Sequence, residues 1–166
     1  MAVPLGAAPN LALAALQGGN SLWSGPIVGM WRTVFTGTSG FVGPYDEGLQ
    51  QFHSDFTELM ISRGVPPDLG NVCMGVWKRL ADGRIRLRHQ TWNWAGQSEI
   101  DPMDPFGSAF SNLNTGFFEL IVTLRVSSPG TRFSGTFEAA SYDLNDMLIP
   151  GSQVEGTVES RRIPVD

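Results

Sequence analysis

Beyond Pro26 the chain alternates apolar and polar residues with a period of two, and turn residues break that alternation at short intervals. "IVGMWRTVFTG" predicts a first strand over 28–36, and "LQQFHSDFTELMI" predicts a second over 49–61. The glycine-rich "TGTSGFVGPYDEG" reads as the connection between them, and "SRGVPPDLG" as a proline-blocked loop. "NVCMGVWKRL" and "GRIRLRHQTWNWA" form a hairpin around Ala81-Asp82-Gly83, the strongest local turn signal. "GFFELIVTLRVS" places Phe118, Leu120, Val122, Leu124 and Val126 on one face. "RFSGTFEAASYDL" turns Phe133, Phe137 and Ala139 inward, and "SQVEGTVESRRIPVD" turns in Val154 and Val158. No helical periodicity of useful length follows residue 27. Strands must hide their edges, so about seven or eight antiparallel strands predict a barrel or a sandwich. Sequential short hairpins favour an all-β fold, a single antiparallel up-and-down β-barrel of about eight strands, wide enough for side chains or one small ligand.

A chain of 166 residues is one domain's worth, and 42% hydrophobic against 16% charged residues is a globular composition. Residues 1–27 differ in kind: they carry no charged side chain, and they read as an N-terminal arm, helical or irregular, before a barrel domain over 28–166. The run "LALAAL" is too short to span a bilayer, and no positive n-region marks a secretory signal. A net charge of −5 argues against nucleic acid or an anionic membrane as partner. Arg84, Arg86 and Arg88 alternate, as one wetted strand face would. Cys73 is the single cysteine, which excludes an intrachain disulfide. Its apolar neighbours suit a buried inert thiol; the alternative is a nucleophile with a histidine as base.

Two features resemble the lipocalin and broader calycin pattern: "GMW" at Gly29 to Trp31, and "SRRI" at the end of the last strand. The resemblance implies that Trp31 closes the barrel floor and that Arg161 or Arg162 stacks across it. The blocks "YDEG", "HSDFTE", "NVCMGVWK", "FSGTFEAASYD" and "VEGTVESRRI" resemble a lipocalin-like barrel family of mostly uncharacterised bacterial proteins. Members of that family are often exported, to the periplasm or beyond, and usually carry glycine where Phe56 stands here. The resemblance thus implies that Phe56 reshapes the cavity. It implies no reaction.

The polar residues of the 49–61 stretch are the candidate site. His53, Asp55, Thr57 and Leu59 share one strand face; Phe52, Ser54, Phe56, Glu58 and Met60 share the other, and alternation leaves open which face turns inward. His89 shares the face of Ile85 and Leu87, so it is expected inside, with Thr91 and Asn93 continuing toward a rim. One reading is a core histidine satisfied by its neighbours. The functional reading sets His53 and His89 across one cavity, with Asp55 charging an imidazole and Glu58 as a further acid or base. Phe52, Phe56, Thr57, Trp77, Thr91, Trp92 and Asn93 are the expected ligand contacts. No dense His or Cys spacing supports a metal, and no cofactor motif is present. The segment 96–115, with Glu99, Asp101, Asp104, Phe106 and Phe110, is a candidate lid.

The leading functional expectation is the binding of a small hydrophobic or aromatic molecule inside the barrel. The alternative is a cofactor-free lyase, isomerase or cyclase with a His/Asp acid–base pair, and the third is a filled structural barrel. A homodimer is open on this reading.

Overall fold

The computed structural model describes residues 25–65, 71–94 and 114–164. The arm before residue 25 and most of the expected lid lie outside the described residues.

Eight strands follow one another: β1 (Gly29–Ser39), β2 (Phe41–Phe52), β3 (Thr57–Ser62), β4 (Val72–Arg79), β5 (Ile85–Trp94), β6 (Asn114–Val126), β7 (Arg132–Tyr142) and β8 (Val154–Arg162). Each pairs antiparallel with the next, and β8 pairs with β1, so the sheet closes as an all-β up-and-down barrel. Closure leaves no free edge along the wall. The expected alternation holds where it was most regular: Ile85, Leu87 and His89 are buried, and Arg84, Arg86 and Arg88 are exposed.

Two sequence expectations are corrected here. The glycine-rich "connection" is the body of β2. Gly43 and Pro44 sit beside a bulge opposite Phe35 and Thr36, where the ladder can spare a proline N–H. Gly48 is flat because the side chain of Met60 occupies the space a Cβ would need. The expected single strand over 49–61 is instead the end of β2, a turn at 53–56 and β3, with Phe52 and Glu58 as cross-strand partners. The turn is built by Asp55, whose Oδ1 accepts from Thr57 N at 3.0 Å and Thr57 Oγ1 at 2.6 Å. Phe56 supplies the left-handed position, at φ 69°. That is the conformation glycine adopts without strain.

The floor of the barrel is aromatic. Trp31 is fully buried, donates its Nε1–H to Ile27 O at 2.7 Å, and packs on Phe133 with ring centroids 5.0 Å apart. Phe133 meets Phe52, Phe52 meets Trp77, and Phe56 caps Trp77 from the turn. Of the two candidate arginines it is Arg162 that crosses the floor, its guanidinium carbon 4.2 Å from the Trp31 ring centroid. It donates to Gly130 O at 2.7 Å, to Val28 O at 2.8 Å and to Pro26 O. Arg161 is exposed, because alternation turns it to the outer face. Gly29, at φ 130°, is needed for this approach: a Cβ there would lie 2.5 Å from Arg162 Nη1. The G-x-W spacing thus puts the glycine where the arginine must pass.

Candidate functional site in the barrel interior

Strand polarity fixes the two ends. The turns at 53–56, 80–84 and 127–131 lie with Trp31 at the floor, and Trp94 and Asn114, the last residue of β5 and the first of β6, lie at the opposite end. His53 and Asp55 are therefore floor-turn residues. His53 Nδ1 lies 3.0 Å from Thr57 Oγ1, and Asp55 is exposed. The hydrogen bonds from the Thr57 side chain and backbone hold the Asp55 carboxyl below the usual range. The geometry does not bring either residue to His89, contrary to the expected pairing across a cavity. The turn, not the face of a strand, decides where they point.

His89 has a different partner. Glu58 on β3, Gly75 on β4 and His89 on β5 are register partners in three adjacent strands. The two outer residues are each 2% exposed, and Glu58 Oε2 lies 3.4 Å from His89 Nδ1. They meet because the residue between them has no side chain: a Cβ on Gly75 would sit 2.6 Å from both Glu58 Oε2 and His89 Cβ. The 3.4 Å approach is a charge contact whose alignment falls short of a hydrogen bond, so among the described residues neither atom has a hydrogen-bond partner.

The other Glu58 oxygen is firmly held. Oε1 accepts from Gln50 Nε2 at 2.8 Å, Gln50 Oε1 accepts from Thr33 Oγ1 at 2.9 Å, and Thr33 Oγ1 lies 3.0 Å from Ser160 Oγ. Ser160 Oγ in turn donates to Arg32 O at 2.9 Å. A polar chain thus runs through the interior from β5 to β8, above the aromatic floor. Burial alone opposes a charged His89, but the neighbouring Cys73 and the Glu58 carboxylate outweigh it and raise its pKa to about 9.

The other expected contacts divide by face. Phe52 is buried in the floor, and Trp77, also buried, donates its Nε1–H to His53 O and Thr57 O at 3.2 Å each. Phe56 is 37% exposed and lies against Trp77 at the turn, so it shapes the floor and not a lumen. Thr57 is exposed at the start of β3. Thr91 and Asn93 are half-buried toward the far end, where Thr91 Oγ1 donates to Val72 O at 2.8 Å. Trp92 points outward at 58% exposure, because it alternates with the wetted Arg88 and Gln90. It helps line an outer groove of about 820 Å³ with Val72, Met74, Phe117 and Leu144, separate from the His89 pair. Gln50, Thr33, Ser160 and Gly75 were not singled out in the sequence; Gln50 carried the only visible signal, alternating with Phe52 on β2.

Toward the end opposite Trp31 the inward positions become smaller and wetter. Ala139 and Gly116 line the wall there, with Tyr45, Phe118, Thr91 and Ser141 half-buried beside them. Tyr45 stacks on Phe137, with centroids 5.4 Å apart and 24° between planes, and burial followed by the charge of Asp46 keeps its phenol pKa high. Asp46 Oδ1 accepts from Ser62 Oγ and Gly64 N, both at 3.0 Å.

A closed eight-stranded antiparallel meander with an arginine-stacked tryptophan floor defines an up-and-down barrel compatible with lipocalin-like architecture. No family model matches the chain, and no curated protein or solved structure matches it. Among the described residues no helix is long and apolar enough to cross a membrane.

Proposed function

We propose that this barrel binds a small hydrophobic or aromatic molecule, taken up at the end opposite Trp31. The observation that carries the reading is the buried Glu58–His89 pair, two titratable groups in the barrel interior with one polar atom each lacking a hydrogen bond. Such groups are costly unless something satisfies them, and ligand barrels use a few polar atoms to orient an apolar guest. The difference between the ends supports the same reading: a packed aromatic floor, and small or half-buried residues at the other end. The barrel domain in this proposal spans 28–166, preceded by an arm over 1–27 whose last residue, Ile27, is drawn fully into the floor.

Native mass spectrometry of the purified chain, followed by extraction and identification of any retained molecule, tests the proposal. Ala139→Trp, which fills the inner wall level with His89, should abolish retention while leaving the fold intact. Retention unchanged in that variant would place the ligand elsewhere.

A second reading is a cofactor-free lyase, isomerase or cyclase, favoured by one observation: an imidazole and a carboxylate face each other in a water-poor interior. Glu58 then takes the place expected of Asp55 as the acid–base partner of His89. Under this reading His89→Gln removes turnover and leaves affinity; under the carrier reading it weakens affinity and there is no turnover to lose.

A further inference from the structure

The outer groove beside Trp92 has a chemistry of its own. Trp92 on β5, Phe117 on β6 and Tyr142 on β7 are register partners in three adjacent strands, so their rings form one row across one face of the sheet. Phe117 and Tyr142 are stacked, with centroids 5.0 Å apart and 11° between planes, and Trp92 is exposed beside them. Val72 and Met74 extend the apolar surface on one side, and Leu144 on the other. Four charged side chains line the same groove: Arg88, Glu119, Asp143 and Asp146. Arg88 is already matched, its Nε donating to Glu119 Oε2 at 2.6 Å, and Gln90 Nε2 donates to the same oxygen at 2.8 Å. Glu119 is only 9% exposed, yet its Oε1 accepts no hydrogen bond among the described residues. Asp143 Oδ1 accepts from Met147 N at 2.9 Å and Asn145 N at 2.8 Å, and these bonds hold its carboxyl below the usual range. Among the described residues no cation pairs with Asp143 or Asp146. Three carboxylates against one guanidinium leave the groove with surplus negative charge beside exposed aromatic faces.

We propose that this groove binds small organic cations, quaternary ammonium ions with an aromatic or branched apolar body. The ring row takes the apolar body and offers cation–π contact, and the carboxylates supply the opposite charge. Size decides between this and a macromolecular partner: about 820 Å³ falls among small-molecule pockets, which span about 300–1,000 Å³. A second copy of the chain, at a net charge of −5, would bring acid against acid. An anion is repelled, and a neutral hydrophobe leaves the charge unused. The carboxylates also favour a quaternary centre over a protonated amine. Glu119 and Asp143 are already fixed by bonds of their own, so they offer a field rather than a set of directed acceptors. A quaternary ammonium has no N–H to satisfy and needs only that field and the ring faces.

The full chain is titrated with benzyltrimethylammonium chloride at neutral pH and followed through its indole N–H resonances, with Trp92→Phe identifying the signal among five tryptophans. The Trp92 signal should shift and saturate with a Kd of about 1 mM or below. Benzyl alcohol, which keeps the ring and lacks the charge, should bind at least about fivefold more weakly. Benzenesulfonate should not bind, and sodium chloride at about 0.5 M should weaken the cation alone. Asparagine keeps the Oδ1 acceptor that the 143–147 turn uses and tolerates the left-handed angle at 146, φ 60°. The double variant Asp143→Asn, Asp146→Asn should therefore fold, weaken the cation at least about threefold and leave benzyl alcohol unchanged. If that variant does not fold, the comparison of the three probes on the wild type decides by itself. No saturation by about 20 mM, or benzyl alcohol binding as tightly as the cation, overturns the proposal. The site is separate from the barrel interior, so the His89 ring resonances should stay in place. If they move while that of Trp92 does not, the cation enters the barrel and the groove assignment fails.

Discussion

Glu58 and His89 lie on strands that are not paired with each other, yet their side chains approach to 3.4 Å across Gly75. The glycine is the smallest part of the arrangement and the most demanding. A methyl group there meets both partners at 2.6 Å, and one of those contacts is the His89 Cβ, which cannot swing away. Gly75→Ala is expected to destabilise the barrel by about 1–3 kcal/mol, as overpacking does. In the same variant the His89 ring resonances should shift in a histidine-detected NMR spectrum. A neutral effect on both would mean the row relaxes freely.

The raised His89 pKa fixes a pH dependence. Unfolded, the ring titrates near 6.5; folded, near 9, so the native state binds the extra proton between these values. Its contribution to stability is complete below the lower value and is lost as pH rises through the upper one. The melting temperature of the wild type should therefore fall between about pH 6.5 and pH 9. His89→Gln should flatten that limb. A melting temperature that rises with pH across this window would contradict the Glu58–His89–Cys73 electrostatics.

The floor offers a contrast between neighbours. Trp31→Ala should cost about 3–5 kcal/mol, the range of large core truncations. Arg162→Ala strips charged donors from the carbonyls of Gly130, Val28 and Pro26 and should cost about 2 kcal/mol or more. Arg161→Ala, on the outer face, should stay within about 0.5 kcal/mol. Urea titrations of the three variants read this order directly. Equal losses at 161 and 162 would mean that the ring-stacked position carries no special weight.

Phe56 holds a backbone angle that suits glycine, and offsets the strain by packing on Trp77 with centroids 4.9 Å apart. Phe56→Gly relieves the first and removes the second, so it should change stability by no more than about 1 kcal/mol. Phe56→Val keeps the left-handed angle, loses the ring and adds a branched Cβ, and should be the worse of the two by about 1 kcal/mol or more. Thermal denaturation of the pair settles the order.

The same residue explains where sequence reading succeeds and where it stops. Alternation alone located the inward face of His89 and the outward arginines of β5, because buried and wet residues there differ in kind. The 49–61 stretch defeated it, since a turn marked by Phe56 carries no glycine or proline to announce itself. Once the turn is missed, His53 and Asp55 are set across a cavity from His89, and Glu58, whose register depends on the turn, enters only as a further acid or base. Gly43, Pro44 and Gly48 misled in the opposite direction, reading as punctuation within a strand that uses them for a bulge and for Met60. Cross-strand meetings such as Glu58 over Gly75 are properties of register, which no local pattern encodes.

The seam between β1 and β8 joins residues almost at opposite ends of the described chain, with Trp31 beside Arg162 and Thr33 beside Ser160. The other seven pairings join consecutive strands and can zip up one hairpin at a time as the polypeptide leaves the ribosome. This one cannot begin until the last strand has been synthesised. Until then β1 waits with one flank unpaired and Trp31 without its arginine, a half-built sheet with an open edge. For such a nascent chain the hazard is a stray strand from a neighbour, and the docking of Arg162 is the event that ends it.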